Sequence, residues 1–189
     1  YQLMNSQYKD KFGLSNAENF DYLSVSECST VDGMNDKEEF GVTLAAMKNV
    51  GMSTNQIQAI LTLLAAILHL GNLKFKSKQI EGSEGCELVP SCRKSLNKIS
   101  ELIKIDSNIL IQAIVTRELQ TMAPGGKIDT YMVPQNPVQA IARRDALSKS
   151  LYERMFDMIV KRINIALVPE SQDGSGTDTS NMLSIGVLD

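Results

Sequence analysis

Asn136-Pro137-Val138-Gln139-Ala140-Ile141-Ala142-Arg143-Arg144-Asp145-Ala146-Leu147 opens the stretch that decides how this chain folds, and no helix breaker follows until Pro169. An Asn side chain caps free N–H groups and Pro fits the first helical position, so a helix starts here. Val138, Ile141, Leu147, Leu151, Met155, Ile159, Ile163 and Leu167 recur at spacings of three or four with one longer step, which predicts an apolar stripe along one side. Arg143, Arg144, Lys149, Glu153, Arg154, Lys161 and Arg162 mostly fall off that stripe. The helix, within 136–168, covers about 31 residues and roughly 46 Å at 1.5 Å per residue.

After it, residues 169–181 are rich in Ser, Gly, Asp and Thr and read as a polar surface loop. Met182-Leu183-Ser184-Ile185-Gly186-Val187-Leu188-Asp189 is a nearly continuous apolar run ending in a carboxylate. Such a run predicts a strand buried on both faces, as in a parallel sheet, where ligands gather at the carboxyl ends of strands. In nucleotide-hydrolysing folds an Asp at a strand end serves the Mg²⁺ of the bound triphosphate. An interior strand needs neighbours, so the sequence is expected to be a piece of a larger protein.

With 189 residues, 43% of them hydrophobic, the chain has the composition of a globular domain. A net charge of -3 argues against a dominant nucleic-acid surface. Cys28, Cys86 and Cys92 are an odd set without zinc-knuckle spacing, which fits a reducing, intracellular setting. The most apolar stretch, Ile57 to Leu70, is short and interrupted by Gln58, Thr62 and His69, so no membrane insertion is expected.

Tyr1 to Phe20 shows no clear period, and its polar character suggests the tail of a helix followed by a loop. Asn35 or Asp36 caps a short helix carrying Phe40, Leu44 and Met47, with Gly51 as its stop. Ser53 and Gln56 form a capping box before a helix so apolar on all sides, through Leu70, that it belongs in the core. Leu73 to Lys76 alternates like a short strand, and Ser77 to Pro90 reads as a loop. Two more helices follow, Ser95 to Ile103 and one capped by Asp106 through Ile114. Arg117 to Met122 and Lys127 to Val133 lean to strand, and Ala123-Pro124-Gly125-Gly126 between them predicts a type II turn and a projecting hairpin.

Chemistry is sparse. His69, the only histidine, reads as structural and hydrogen-bonded near a helix end. Cys86 and Cys92 read as incidental thiols in a polar loop. There is no G-x-x-x-x-G-K phosphate loop and no Ser/His/Asp or Cys/His arrangement, which leaves Asp189 as the one residue with a chemical role.

The order of motifs resembles the motor domain of a myosin heavy chain. Glu39-Phe40 with Thr43, Ala46-Met47 and Val50-Gly51 is similar to one family segment, and Leu64-Ala-Ala-Ile-Leu-His-Leu-Gly-Asn72 to another. Val133-Pro134, Asn136, Arg144-Asp145-Ala146-Leu147, Lys149, Leu151-Tyr152, Arg154, Phe156-Asp157 and Arg162-Ile163-Asn164 resemble the long helix entering the nucleotide region. Ile185 to Asp189 resembles the strand leading into switch II.

The resemblance implies a mainly α fold: a helical subdomain of a P-loop NTPase motor, with a small hairpin and a C-terminal strand belonging to the central sheet. It divides the chain into a helical upper 50 kDa region (1–116), an actin-contacting hairpin (117–133), the long helix (136–168), a loop (169–181) and the strand into switch II (182–189). It implies actin filaments as partner, with light chains or calmodulin bound by other parts of the protein and no nucleic acid. ATP and Mg are the implied cofactors, and the implied location is the cytoplasmic actin cytoskeleton. Asp189 is the implied catalytic and cofactor-binding residue, placed behind the direct ligands of the Mg. The phosphate loop and switch I would precede Tyr1, so this stretch alone is expected to be inactive. Pro124, Gly125, Gly126, Lys127, Asp129 and Tyr131 are the implied actin-contacting residues. Asp129, sixteen positions before Asp145, falls where family members place either an acid or a phosphorylatable Ser or Thr. Ser148, Met158 and Glu27-Cys28 depart from common family residues and suggest an unconventional or divergent class. The contrasting reading is a stand-alone α-helical interaction module without nucleotide.

Overall fold

Two capping boxes start the two helices that carry the architecture. In the computed structural model, which describes residues 1–25, 31–80, 82–122, 126 and 128–167, Ser53 Oγ accepts from the Gln56 N–H at 3.3 Å and Gln56 Oε1 accepts from the Ser53 N–H at 2.8 Å. This launches α2, Thr54–Gly71; α1, Asp36–Asn49, precedes it, capped by Asn35. Asn136 and Gln139 make the same reciprocal pair at 2.9 and 3.0 Å, which leaves few orphan donors at the start of the 31-residue helix α5, Pro137–Leu167. Between them lie β1 (Phe75–Ile80), β2 (Ser83–Leu88), α3 (Arg93–Ile103), α4 (Ser107–Val115), β3 (Thr116–Met122) and β4 (Ile128–Pro134). The described fold is thus mostly helical with two antiparallel hairpins, β1–β2 and β3–β4.

The apolar interior forms two clusters, and α2 and α5 each contribute to both. One gathers Leu3, Met4, Phe12, Leu14 and Phe20 with Phe40, Ile57, Ile60, Leu61 and Met155. The other gathers Leu70, Leu73, Phe75, Leu96, Ile99, Leu110, Ile114 and Ala140. As expected, α2 is a core helix. On length and composition alone it is also the one described helix able to cross a membrane, but half of it is buried inside this fold.

Four expectations are corrected. The segment read as a loop, Ser77 to Pro90, is largely strand: β1 and β2 pair in register from Phe75↔Leu88 to Ile80↔Ser83, with Gly82 at φ +80° in the turn. Alternation is hidden there because Cys86 and Leu88 are the only apolar residues on the inward face of β2, while the other face carries Gly85 and Glu87; Lys76 and Lys78 grip Glu87 across the strands at 3.1 and 2.8 Å. Cys86 and Cys92 accordingly sit in the core, not in a polar loop, and burial pushes the Cys86 thiol pKa up. The start of the chain is irregular, with 3-10 turns at Gln2–Asn5 and Ala17–Asn19, yet it fills the interior, and Phe12 is fully buried.

The buried face of α5 is also rotated from the predicted stripe. Ala140, Arg144, Ser148 and Met155 are buried, with Leu147, Leu151 and Ile159 partly so, whereas Val138, Ile141 and Leu167 are exposed. Small residues take the face because α2 and the β1–β2 hairpin pack close against it. The strand 182–189, the loop 169–181 and the turn at Ala123-Pro124-Gly125 lie outside the described residues.

Gly51, just past α1, has φ +76°, and a Cβ there would meet the Arg162 guanidinium. That guanidinium donates to the Gly51 carbonyl. Gly51→Ala is expected to cost about 1–3 kcal/mol, from left-handed backbone strain plus displacement of Arg162. Urea unfolding checks it; a shift below about 0.5 kcal/mol would show that neither constraint holds.

Candidate functional site

Polar side chains collect where α2, α5 and the N-terminal segment meet. Arg144, 7% exposed, donates through one Nη to the carbonyls of Gly71 (2.9 Å) and Leu73 (2.7 Å). Its Nε and other Nη reach Asp145 Oδ1 at 2.8 and 2.7 Å. Those carbonyls lie at and just past the end of α2 and lack intrahelical donors, so the guanidinium satisfies them and complements the negative helix end. The Tyr22 hydroxyl donates to the same Asp145 oxygen at 2.6 Å and shares a second hydrogen bond with Ser148 Oγ at 3.0 Å. Burial, then the bond to Asp145, raise the Tyr22 pKa and keep the phenol protonated. Tyr22 lies flat against Gly71, where an added Cβ would come within 2.8 Å of the ring. A cavity of about 540 Å³ opens beside this group, lined by Tyr22, Ile67, Asp145, Ser148, Tyr152 and Glu153 among others.

His69 fulfils its structural reading. Its Nε2 lies 2.9 Å from the Phe12 carbonyl, which only accepts, so Nε2 carries the proton. Burial, with smaller contributions from Lys98 and Lys94, holds its pKa below the ordinary value, against the Phe12 bond. The folded ring therefore stays neutral while an unfolded one protonates below about pH 6.5. The associated stability is whole above that pH and is lost as pH falls toward the folded pKa, with a limiting slope of about 1.4 kcal/mol per pH unit. His69→Gln is expected to flatten this part of the stability profile. Thermal melting between about pH 7.5 and 5 tests it, and an unaltered acid limb in the variant would remove His69 as the cause.

The second cluster of candidate residues is the hairpin β3–β4. Its strands pair from Thr116↔Pro134 to Met122↔Ile128, a reach of roughly 20 Å at 3.4 Å per residue. Beyond the root every residue of both strands is exposed. Alternation puts Asp129, Tyr131 and Val133 on one face with Arg117, Leu119 and Thr121, and Thr130 on the other. Asp129 and Tyr131, both singled out from sequence, are thus brought together; the phenol reaches Asp129 Oδ2 at 3.5 Å. Gly126 is in the left-handed region, φ +79°. Pro124, Gly125, Lys127 and Asp189 lie outside the described residues.

The hairpin root is tied to α4 and α5. Carbonyls at the end of α4 would be orphans, yet Thr116 Oγ1 donates to Gln112 (2.7 Å), the Gln135 N–H to Val115 (2.8 Å), and Arg143 to Ala113 through Nε and Nη2 (3.3 and 3.1 Å). Sequence reasoning missed the roles of Tyr22, Arg143, Arg144, Ser148 and Arg162, placing the arginines mostly off the core face. The available signal was Arg144 itself: it lies one turn after Ala140 and one before Ser148, on a face of small residues. Among the described residues no group of three or more His, Cys, Asp or Glu is placed to hold a metal.

The whole chain, residues 1–189, matches the family described as Myosin head (motor domain). It is 36% identical to Myosin-1 of Schizosaccharomyces pombe over 193 residues, covering 100% of this chain and 15% of that protein. It is likewise 36% identical to Myosin ID heavy chain of Dictyostelium discoideum over 194 residues, covering 100% of this chain and 17% of that protein. With Myosin-1 of Lodderomyces elongisporus it shares 37% identity over 183 residues, 97% of this chain and 13% of that protein. The chain therefore spans only 13–17% of the length of these curated relatives. A family match from the first residue to the last, with relatives above 35% identity over the same span, establishes that the chain belongs to the myosin head (motor domain) family.

Proposed function

We propose that this chain is part of an actin-based motor that couples ATP hydrolysis to movement along filaments. The observation that carries the reading is the hairpin β3–β4, exposed beyond its root, tied to the long helix α5 and presenting Asp129 and Tyr131 side by side. In this reading residues 1–116 and 136–168 belong to the upper 50 kDa subdomain of a P-loop NTPase motor. The hairpin, with Pro124, Gly125, Gly126, Lys127, Asp129 and Tyr131, meets the filament. The run 182–189 is the strand entering switch II, joined to α5 by the loop 169–181. Asp189 then serves the Mg²⁺ and attacking water of bound ATP from behind the direct ligands, an electrostatic and positioning role in phosphoryl transfer. The phosphate loop and switch I come from other parts of the protein, as do light-chain or calmodulin sites, and the 189-residue stretch by itself turns over no ATP. The location that follows is the cytoplasmic actin cytoskeleton.

The test is ATP turnover by the full-length protein with and without actin filaments. Turnover that rises with actin and is lost in Asp189→Ala supports the reading. Turnover indifferent to actin removes the filament as partner, and none at all removes the motor.

A further inference from the structure

Three arginines along α5 each reach a carbonyl at or just past the C-terminal end of a different helix. Arg143 takes Ala113 at the end of α4, Arg144 takes Gly71 and Leu73 at the end of α2, and Arg162 takes Gly51 just past α1. Each supplies a donor to a group the helix cannot satisfy and places a cation at the negative end of a helix dipole. Arg144 is buried and holds the interior together. Arg143 is different, because it is only partly buried and its carbonyl partner stands two residues before Val115, where α4 passes directly into β3.

We propose that Arg143 is the positioning residue of the hairpin. It fixes the direction in which β3–β4 leaves the helices, so that the hairpin and α5 move as one body. The root has few fastenings. The ladder closes at Thr116↔Pro134, the Gln135 N–H reaches Val115, and the Pro134 ring packs against β2, where a Cβ on Gly85 would approach it to 3.2 Å. The ladder holds β3 to β4, the Gln135 bond reaches α4, Pro134 meets β2, and Gln135 and Asn136 join β4 to the start of α5. Arg143 adds a polar tie from α5 to the last turn of α4, beside the apolar cluster that Leu110 and Ile114 share with Ala140, and its two N–H groups converge on one oxygen, which restricts rotation of one helix against the other. Without it β3–β4 remains a paired hairpin but turns about the α4–β3 junction.

The consequence for activity rests on the actin reading above, and the experiment separates the two. Arg143→Gln and Arg143→Lys are made in the full-length protein. In Arg143→Gln, hydrogen exchange at Thr116, Arg117, Val133 and Gln135 is expected to rise about tenfold, the loss of one charge-assisted hydrogen bond, with exchange in α1 and α2 unchanged. Arg143→Lys restores part of that protection. The actin concentration for half-maximal activation is expected to rise several-fold, with turnover in the absence of actin and at saturating actin both unchanged. Unchanged exchange at the root overturns the proposal, and so does a rise shared equally by α1 and α2, which would make Arg143 a general stabiliser. If the unaltered protein shows no response to actin, the motor reading fails while the exchange measurement still decides the role of Arg143.

Discussion

Arg144→Ala is expected to lower stability by about 3–5 kcal/mol, the largest cost of any single substitution considered for this chain. The change strips donors from two backbone carbonyls, Gly71 and Leu73, that face the buried guanidinium. Each unsatisfied buried carbonyl costs about 1–3 kcal/mol. The same change removes the cation from Asp145 and from above the Tyr22 ring, where the guanidinium carbon lies 5.7 Å from the centroid. The Asp145 contribution is the smaller, since that side chain is 34% exposed and water screens what remains. Arg144→Lys separates these contributions: an ammonium can meet one carbonyl but cannot span Gly71, Leu73 and Asp145 in one plane, so about half the loss is expected. Hydrogen-exchange free energies of α2 and α5 amides in the full-length protein measure both. An alanine variant within about 1 kcal/mol of the parent would show that the two carbonyls find other donors.

That prediction rests on what could and could not be read from the amino acids. The helices were legible because their signals are local: Ser53 with Gln56 writes a cap into four residues, and Asn136-Pro137 starts α5 where it was expected to start. The projecting hairpin was legible because Pro-Gly-Gly between two β-leaning runs leaves the chain little choice. The inward face of α5 was legible only in part, through Leu147, Leu151, Met155 and Ile159. A period of 3.6 marks apolar residues, but the interior here is reached by Ala140 and Ser148, whose small size admits neighbouring backbone, and by Arg144, whose charge is neutralised by groups distant in sequence. Carbonyls left over at the ends of α1, α2 and α4 set the demand for arginine, and no pattern within α5 reveals them. The β1–β2 hairpin escaped for a related reason: one face of β2 supports the core through Cys86, while the alternating positions are charged or Gly85. Family resemblance identified Asp129 without any geometry; the strand register then set it beside Tyr131 and opposite in facing to Thr130.

In the proposed motor the Asp129 carboxylate supplies the negative charge that a Ser or Thr at this place would gain only from phosphate, which brings about -1.5 to -2. In the proposed motor this hairpin is therefore active without phosphorylation, and Asp129→Ala is expected to reduce actin-activated turnover about tenfold below saturation, near 1.4 kcal/mol of contact energy. Turnover without actin should not change, because Asp129 lies on the exposed outer part of β4. Asp129→Glu keeps the charge and most of the activity. Asp129→Ser begins low and recovers when phosphorylated, which converts a constant charge into a regulated one. Thr130→Ala faces the other way and leaves activity intact; if that variant loses activity and Asp129→Ala does not, the charge acts from Thr130 as a phosphosite instead. Screening supplies an independent check. The deficit of Asp129→Ala should shrink as the ionic strength rises, since the Debye length falls from about 10 Å at 0.1 M to about 3 Å at 1 M. A deficit that persists at high salt would assign Asp129 a role in the hairpin's shape, through its contact with Tyr131, and an unchanged turnover in Asp129→Ala at any salt would remove it from the filament contact altogether.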